Sequence, residues 1–512
     1  MAGRAGPGVI GRRGFLVGAL AAAVPLRVGA TSASESFEDI AARLARQPHR
    51  DPAMRLAPPF DALTYDSYRA IRPAPGGAAG IALGGGLSAD LMPPGFFFRD
   101  AVGVEIESDG AFTPIGFDPA LFSYGARYFQ GTPELSDAAR AQMGFSGLRL
   151  RAPFRQADVA DEFFVAQGAS YYRIVSRETL YGLSARALAV GTGGNAPEEF
   201  PVFTRLRLHR ASDGQAKVDA LIESPSVTGA ARLSITPGEP TVTDVELTLF
   251  PRAKLDTVGI APLTSMYLKG PLRAAVSDDF RPRVHDSDAL LVENGGGERL
   301  WRPLSNPAAL QSSSFIDHGP RGFGLVQSAR AFADFEDPEA AYHRRPSAWV
   351  APRGDWGAGS VMLVEIPTRD EFFDNIVAFW RPETPLEAGG AYRFAYRMLT
   401  GAEPMPPSDL PASVAQSRSG LVHDQPGRLQ YVVDFAGMGL EGLQPDVTAT
   451  QGEIHGVSAY GLPERGQQRV GFQFEPGMAT AAELRLVLRG PDGAARSAVW
   501  LHRWTPARDG GP

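Results

Sequence analysis

From about residue 78 almost to its end, the chain reads as short apolar runs broken by glycine, proline and polar turns, and the clearest of these runs alternate with period two. They are Thr204-Arg205-Leu206-Arg207-Leu208-His209, Ala216-Lys217-Val218-Asp219-Ala220-Leu221, Ala231-Arg232-Leu233-Ser234-Ile235 and Val242-Thr243-Asp244-Val245-Glu246-Leu247-Thr248-Leu249-Phe250. Turns such as Ser212-Asp213-Gly214 and Thr236-Pro237-Gly238 separate them, so the spacing predicts an antiparallel meander. One face of each strand is apolar and the other polar, as in a sheet wet on one side or lining a cleft. Helical spacing is rare. Ser36 caps a predicted helix whose apolar positions are Phe37, Ile40, Ala41 and Leu44, with Asp39 placed for a capping box and Pro48 ending it. Two shorter helical intervals are predicted over 133–140 and 158–165, the second the more convincing.

The stretch Thr400-Gly401-Ala402-Glu403-Pro404-Met405-Pro406-Pro407-Ser408-Asp409-Leu410-Pro411 denies sheet hydrogen bonding and stiffens the backbone, which marks a linker over 399–420. Beyond it, strands over 430–435, 469–474 and 482–488 suit a small immunoglobulin-like β-sandwich over 421–512. The predicted class is all-β. With 512 residues, two domains are expected, since single cores stop growing near ~250–300 residues. The absence of cysteine excludes disulfides, thiolate metal sites and cysteine nucleophiles. A net charge of -7 gives no general attraction to nucleic acid or anionic lipid, which leaves a neutral ligand easier to accommodate.

The first residues carry a destination. Gly11-Arg12-Arg13-Gly14-Phe15-Leu16-Val17 sets a twin-arginine pair before a weakly apolar, alanine-rich run that Pro25 and Arg27 interrupt, too short for the ~20 apolar residues that cross a bilayer. The expectation is a cleaved twin-arginine (Tat) signal peptide over 1–33, processed near Ala30 or Ala33, with a disordered basic tail as the alternative. Such a route carries folded cargo. No cofactor motif appears in the chain, so fast, aggregation-prone folding is the preferred reason for it.

Several chemistries are excluded. Gly84-Gly85-Gly86-Leu87-Ser88 lacks the Lys-Ser/Thr of a phosphate loop, no H-E-x-x-H array is present, and Gly144-Phe145-Ser146-Gly147 is not a nucleophile elbow. The densest polar stretch runs Asp278-Asp279-Phe280-Arg281-Pro282-Arg283-Val284-His285-Asp286-Ser287-Asp288. In an extended chain Asp286 and Asp288 point the same way, and two close carboxylates push one pKa upward, which suits proton transfer. A calcium-like oxygen cluster or a plain polar hairpin loop is the alternative. Asp374 opens the apolar run Ile376-Val377-Ala378-Phe379-Trp380, where partial burial disfavours its charged form and suits it to donate a proton; a solvated strand start is the alternative there. Between these two segments aromatics are frequent, including Trp301, Tyr342, Trp349 and Trp356, as platforms for sugar rings or as core.

These segments resemble the periplasmic glucans biosynthesis proteins of the OpgG/OpgD (MdoG/MdoD) family. The resemblance rests on Pro59-Phe60-Asp61-Ala62-Leu63-Thr64-Tyr65-Asp66, Ile260-Ala261-Pro262-Leu263-Thr264-Ser265-Met266-Tyr267, His285-Asp286-Ser287-Asp288, Tyr342-His343-Arg344-Arg345-Pro346-Ser347, Gly354-Asp355-Trp356-Gly357 and Asp374-Asn375-Ile376-Val377, in family order. The twin-arginine segment tilts it toward the D-type branch. It implies a large antiparallel β-sandwich with a long cleft over 34–398, a connector, and the immunoglobulin-like domain. It further implies a periplasmic, endo-acting, anomer-inverting glycoside hydrolase on beta-1,2-glucan, working in osmoregulated periplasmic glucan biosynthesis without cofactor or metal. Asp374 matches the general acid and Asp286 the general base acting through relayed water, with the choice of Asp286 over Asp288 left open. His285, Asp288, Tyr342, Arg345 and Trp356 are the expected substrate contacts. Glucan transglycosylase on the same scaffold and a noncatalytic glucan-binding scaffold protein are the alternatives. Expected partners are the glucan, the Tat export machinery, a second copy in a homodimer and a membrane glucan synthase, with no nucleic acid.

Overall fold

The computed structural model describes residues 35–74, 79–194, 196–272, 279–407, 410–425 and 427–509. The expected signal peptide over 1–33 lies outside the described residues. The fold is all-β: a large antiparallel sandwich followed by a small one. Strands Val202–Leu208, Ala216–Glu223, Val227–Thr236 and Thr241–Pro251 form consecutive antiparallel neighbours, the meander that the alternation predicts. They belong to a 14-stranded sheet that faces an 11-stranded one. Between the two sheets lies one apolar core, where Leu148, Leu150 and Phe164 of the second sheet meet Leu206, Val218, Ile222 and Leu247 of the first.

The helix Phe37–Ala45 forms as expected, with the Ser36 hydroxyl accepting from the Asp39 backbone N–H at 3.1 Å. Its apolar face packs on Leu221, Ala230 and Phe250 of the large sheet. The Arg207 guanidinium lies over the Phe37 ring at 4.1 Å, which fixes the helix to the sheet's polar face. A short helix also forms at Asp137–Arg140.

Two expectations change. The interval 158–165 is not helical: Val159–Gln167 is a strand paired with Gly147–Gln156. Gln156 faces Val159 across a two-residue turn, so Asp158, which suits a helix cap, turns a hairpin corner instead. The connector is also shorter than 399–420, because Tyr392–Gly401 is one strand and Ala412–Leu421 the next. Only the proline-rich part stays out of the sheets, for want of N–H donors.

Among the described residues the small sandwich has seven strands. Four form a sheet of their own, in the order Ala412–Leu421, Leu429–Gly437, Gln467–Glu475, Glu453–Leu462. The other three, Gln444–Ala449, Ala482–Arg489 and Val499–Trp504, extend the 14-stranded sheet of the large sandwich. The junction is a parallel pairing of Leu300 with Val499 and Trp301 with Trp500. Tyr431, Phe472, Trp500 and Trp504 pack in one core with Leu291, Trp301 and Trp349 of the large sandwich. The two sandwiches are therefore joined by a shared sheet and a shared core as well as by the chain.

Candidate active site

Asp374 and Asp286 come together at one end of the 11-stranded sheet, on loops tied to each other through backbone. Asp374 stands just before the strand Ile376–Pro382, and Asn375 between them is fully buried. The Asn375 side chain accepts from Tyr267 N–H at 2.8 Å and donates to Tyr267 C=O at 3.0 Å and Ile366 C=O at 2.9 Å. Tyr267 pairs in turn with His285, and Asp286 N–H donates to Met266 C=O at 2.8 Å. One buried amide thus links the residue after Asp374 to the ladder that ends beside Asp286.

The charges around the two carboxyls form a single cluster. Arg173 reaches Asp374 at 3.8 Å and Arg345 reaches Asp286 at 3.4 Å, neither with hydrogen-bond geometry. One oxygen of each carboxyl, Asp374 Oδ2 and Asp286 Oδ1, makes no hydrogen bond with a described residue. Burial pushes the Asp374 pKa up, opposed by Arg173, Arg186 and Arg345. Burial likewise raises Asp286, opposed by Arg345; the charge of Asp374 then raises it further. Both groups are therefore shifted upward from an ordinary carboxylate, the direction that favours holding a proton for transfer.

Asp288 differs in kind. Its carboxyl accepts from Ser328 N–H at 3.0 Å and from the Ser328 hydroxyl at 2.5 Å. Burial raises its pKa, while these hydrogen bonds hold it down. A bend at Asp286 sends the two aspartates to separate partners, so they do not share a face as an extended chain would require. Asp288 fastens the segment after Asp286 to the loop behind Gly322–Val326, and this makes Asp286 the carboxylate with a free oxygen.

Two expected sugar contacts point elsewhere. The His285 side chain is 0% exposed, stacked on Tyr267 at 5.3 Å and met edge-on by Phe335 at 5.1 Å. It reaches no saccharide from there. Burial, then Arg283, lowers its pKa to about 3, so the ring is neutral near pH 7. Trp356, 6% exposed, packs against Trp380, Phe394 and Tyr396 and donates its indole N–H to Ala395 C=O at 3.2 Å, so it belongs to the main core. Trp301 and Trp349 are core as well.

Tyr342 and Arg345 do stay at the site. Tyr342 is buried, donates its hydroxyl to Glu371 at 3.1 Å and lies under the Arg345 guanidinium at 5.3 Å. Arg345 also donates to Tyr181 C=O and to Ala340 C=O, the latter at 2.8 Å, which fixes it beside Asp286. Sequence reasoning does not find Arg173, Glu371, Arg281 or the role of Asn375. Arg281 pairs with Asp279, Asp337 and Glu371, each at 2.8 Å, and so ties the loop before Asp286 to the loop before Asp374. The signal available for Arg173 is a lone charge in the strand Tyr171–Ile174, a residue type that needs a partner when half-buried.

A family model described as "Periplasmic glucan biosynthesis protein, MdoG" matches residues 33–504. The chain belongs to this family. It is therefore a protein of periplasmic glucan biosynthesis, in keeping with the resemblance of its motifs. "Glucans biosynthesis protein G" of Vibrio cholerae serotype O1 is 43% identical over 482 residues, covering 92% of this chain and 87% of that protein. The protein of the same name from Rhodopseudomonas palustris is 42% identical over 474 residues, 91% of this chain and 92% of its own. That from Shewanella frigidimarina is 40% identical over 480 residues, 92% and 84%. These relatives carry the G name, and the similarity does not separate the G and D branches of the MdoG family. Among the described residues no helix is long and apolar enough to cross a membrane.

Proposed function

We propose that this member of the family is an endo-acting, anomer-inverting hydrolase of beta-1,2-glucan, of the D-type, exported by the Tat route to the periplasm. The observation that carries the reading is the meeting of two buried carboxyls from distant segments in one cluster with Arg173 and Arg345, each keeping an oxygen without a hydrogen bond. A buried carboxyl left under-bonded costs stability, and sites that bear such a cost are enriched in function.

The glycosidic oxygen is a poor leaving group, so bond cleavage needs a proton delivered to it while water is activated on the opposite face of the sugar. Asp374, raised by burial and held by no hydrogen bond at Oδ2, is the proton donor. Asp286 accepts the proton of the attacking water, and Arg345 beside it favours its ionised form. Inversion typically separates the carboxyls by ~6.5–9.5 Å, and a wider gap requires a relay through water or a sugar hydroxyl. Asp288, bonded twice to Ser328, holds the base segment in place. Arg173 and Arg345 keep the two carboxyls from protonating together.

Purified protein is incubated with linear beta-1,2-glucan and the products are resolved by size, linkage and anomer. New reducing ends of inverted configuration that vanish in Asp374→Asn support hydrolysis. Newly linked or cyclic products without new reducing ends assign a transglycosylase, and unchanged glucan assigns a noncatalytic scaffold role beside a membrane synthase. Light scattering on the same sample tests for the homodimer.

A further inference from the structure

The polar face of the 11-stranded sheet does not end at the aspartates. Directly paired residues of an antiparallel sheet point to the same face, so the register can be followed across it. Asp90 pairs with Arg149, Arg149 with Val165, and Val165 with Arg173. Arg173 donates to the Ser184 hydroxyl at 2.8 Å, Ser184 pairs with Thr264, and Thr264 pairs with Val377, close to Asp374. Burial, then Glu162, pushes the Tyr181 hydroxyl pKa up, while Arg149 and Arg173 of this row act on it in the other direction.

At the far end of the row is a cavity of about 440 Å³ lined by Arg72, Asp90, Arg149 and Arg151, with Pro73, Ala74 and Gly80. Its charge is not balanced. Asp90 Oδ2 accepts from both Arg149 at 2.8 Å and Arg151 at 2.6 Å, and Glu162 pairs with Arg149 at 3.0 Å. Arg72 has no ion-pair or hydrogen-bond partner for its guanidinium among the described residues, while its backbone is fixed by pairing with Ser123. Arg72 itself is exposed at the mouth of the cavity, and partial burial there, then the positive charges of Arg149 and Arg69, work against its protonated form. Arg149 and Arg151 side chains are only 15% and 29% exposed, so the wall they form is set before any ligand arrives. A concave site with one guanidinium left over and two more held rigidly beside it suits a planar or tetrahedral oxyanion.

We propose that this cavity is a subsite for an anionic group, a phosphate or carboxylate, carried on the saccharide whose reacting bond lies at Asp374 and Asp286. The proposal rests on the hydrolase reading for the location of the reacting bond. Arg149 and Arg173 are two strand spacings apart, roughly 10 Å, and Arg173 is 3.8 Å from Asp374. A chain of a few sugar units therefore spans the distance along the polar row.

The test is calorimetric binding to the full-length protein carrying Asp374→Asn, so that ligand is not consumed. Three probes are compared: a neutral linear beta-1,2-glucan, a glucan of matched length bearing phosphate or carboxylate groups, and inorganic phosphate alone. The acidic glucan is expected to bind roughly tenfold more tightly than the neutral one, with the difference shrinking as salt is raised. Adding Arg72→Gln, a side chain with no internal partner to disrupt, abolishes the difference and leaves neutral-glucan affinity unchanged; Arg72→Lys retains much of it. Equal affinity for the two glucans, whether both bind or neither does, overturns the subsite, as does a preference that survives Arg72→Gln. Inorganic phosphate binding as tightly as the acidic glucan overturns the saccharide-borne ligand in favour of a free ion. If the unsubstituted protein cleaves neither glucan while the preference persists, the hydrolase reading fails and the subsite stands.

Discussion

In the small sandwich, the Asp434 side chain is 2% exposed, more enclosed than Asp286 at 11% or Asp374 at 17%, yet its surroundings act on it in the opposite direction. Arg469 donates to both of its oxygens at 2.6 and 2.8 Å, and Gln416 adds a third hydrogen bond at 2.8 Å. Burial alone pushes this carboxyl up, but those bonds bring it below the usual carboxylate range. At the candidate site burial goes unanswered by hydrogen bonds, and Asp374 and Asp286 are raised. The same residue type is held toward its charged form in one region and pushed toward its neutral form in the other. The difference lies in how many donors the fold supplies, a property of the neighbours and not of the aspartate.

The largest effect that sharpens this contrast is expected from Asp374→Asn, which lowers turnover of beta-1,2-glucan by about a thousandfold without loss of the folded state, read by product assay and circular dichroism. Asp434→Ala is expected to do the reverse. It leaves Arg469 without its partner and costs about 3 kcal/mol of stability by denaturant titration, with kcat of the folded fraction unchanged. Asn375→Ala falls between the two: it orphans buried backbone groups of Tyr267 and Ile366, at about 1–3 kcal/mol, and displaces Asp374 relative to Asp286. Both stability and kcat fall, and the pH–rate profile moves because the charge coupling of the pair changes.

The pH dependence carries the same contrast in its signs. A carboxyl whose folded pKa is raised stabilises the fold only while it is protonated, so stability is lost as pH climbs from the unfolded value toward the folded one. Asp374→Asn is therefore expected to be slightly more stable than the unsubstituted protein at pH 7, with the gain vanishing below about pH 4. Asp434 contributes in the other sense: its stabilisation is present above the unfolded pKa and lost as pH falls through the folded one. His285 adds the smallest effect. Its pKa falls to about 3 on folding, so the unfolded state binds the extra proton between that value and about 6.5, and acidification through this window destabilises. Thermal melts of His285→Phe across pH 4–7 are expected to show a flatter acid limb.

How much could be read from the chain follows from the range of the forces involved. The strands between residues 202 and 251 were legible because alternation records which face is wet, and neighbours in sequence are neighbours in the sheet. The helix at Phe37–Ala45 was legible from its cap and its apolar stripe. The interval 158–165 was not, because a short run containing Phe163 and Phe164 satisfies either period and only pairing with Gly147–Gln156 decides it. The same limit applies at the site. Asp374 stands out as a carboxylate opening an apolar run and Asp286 as part of the densest polar stretch, but the directions of His285 and Trp356 depend on Phe335 and Trp380, brought in from elsewhere in the chain. Arg173 gains its meaning only when the strand Tyr171–Ile174 is laid across from the segment bearing Asp374.

The parallel pairing of Leu300 with Val499 gives the small sandwich a second duty. Removing it would convert Arg299–Pro303 from an interior strand into a raw border with unanswered N–H and C=O groups, and would strip the cover from Trp301 and Trp349. The adjoining strand, Ala289–Glu293, begins one residue after Asp288. A protein cut in the proline-rich connector is thus expected to stick to itself along that border and to lose the register of the loop that carries Asp286 and Asp288 together, so the terminal module serves as the bookend of the larger sheet.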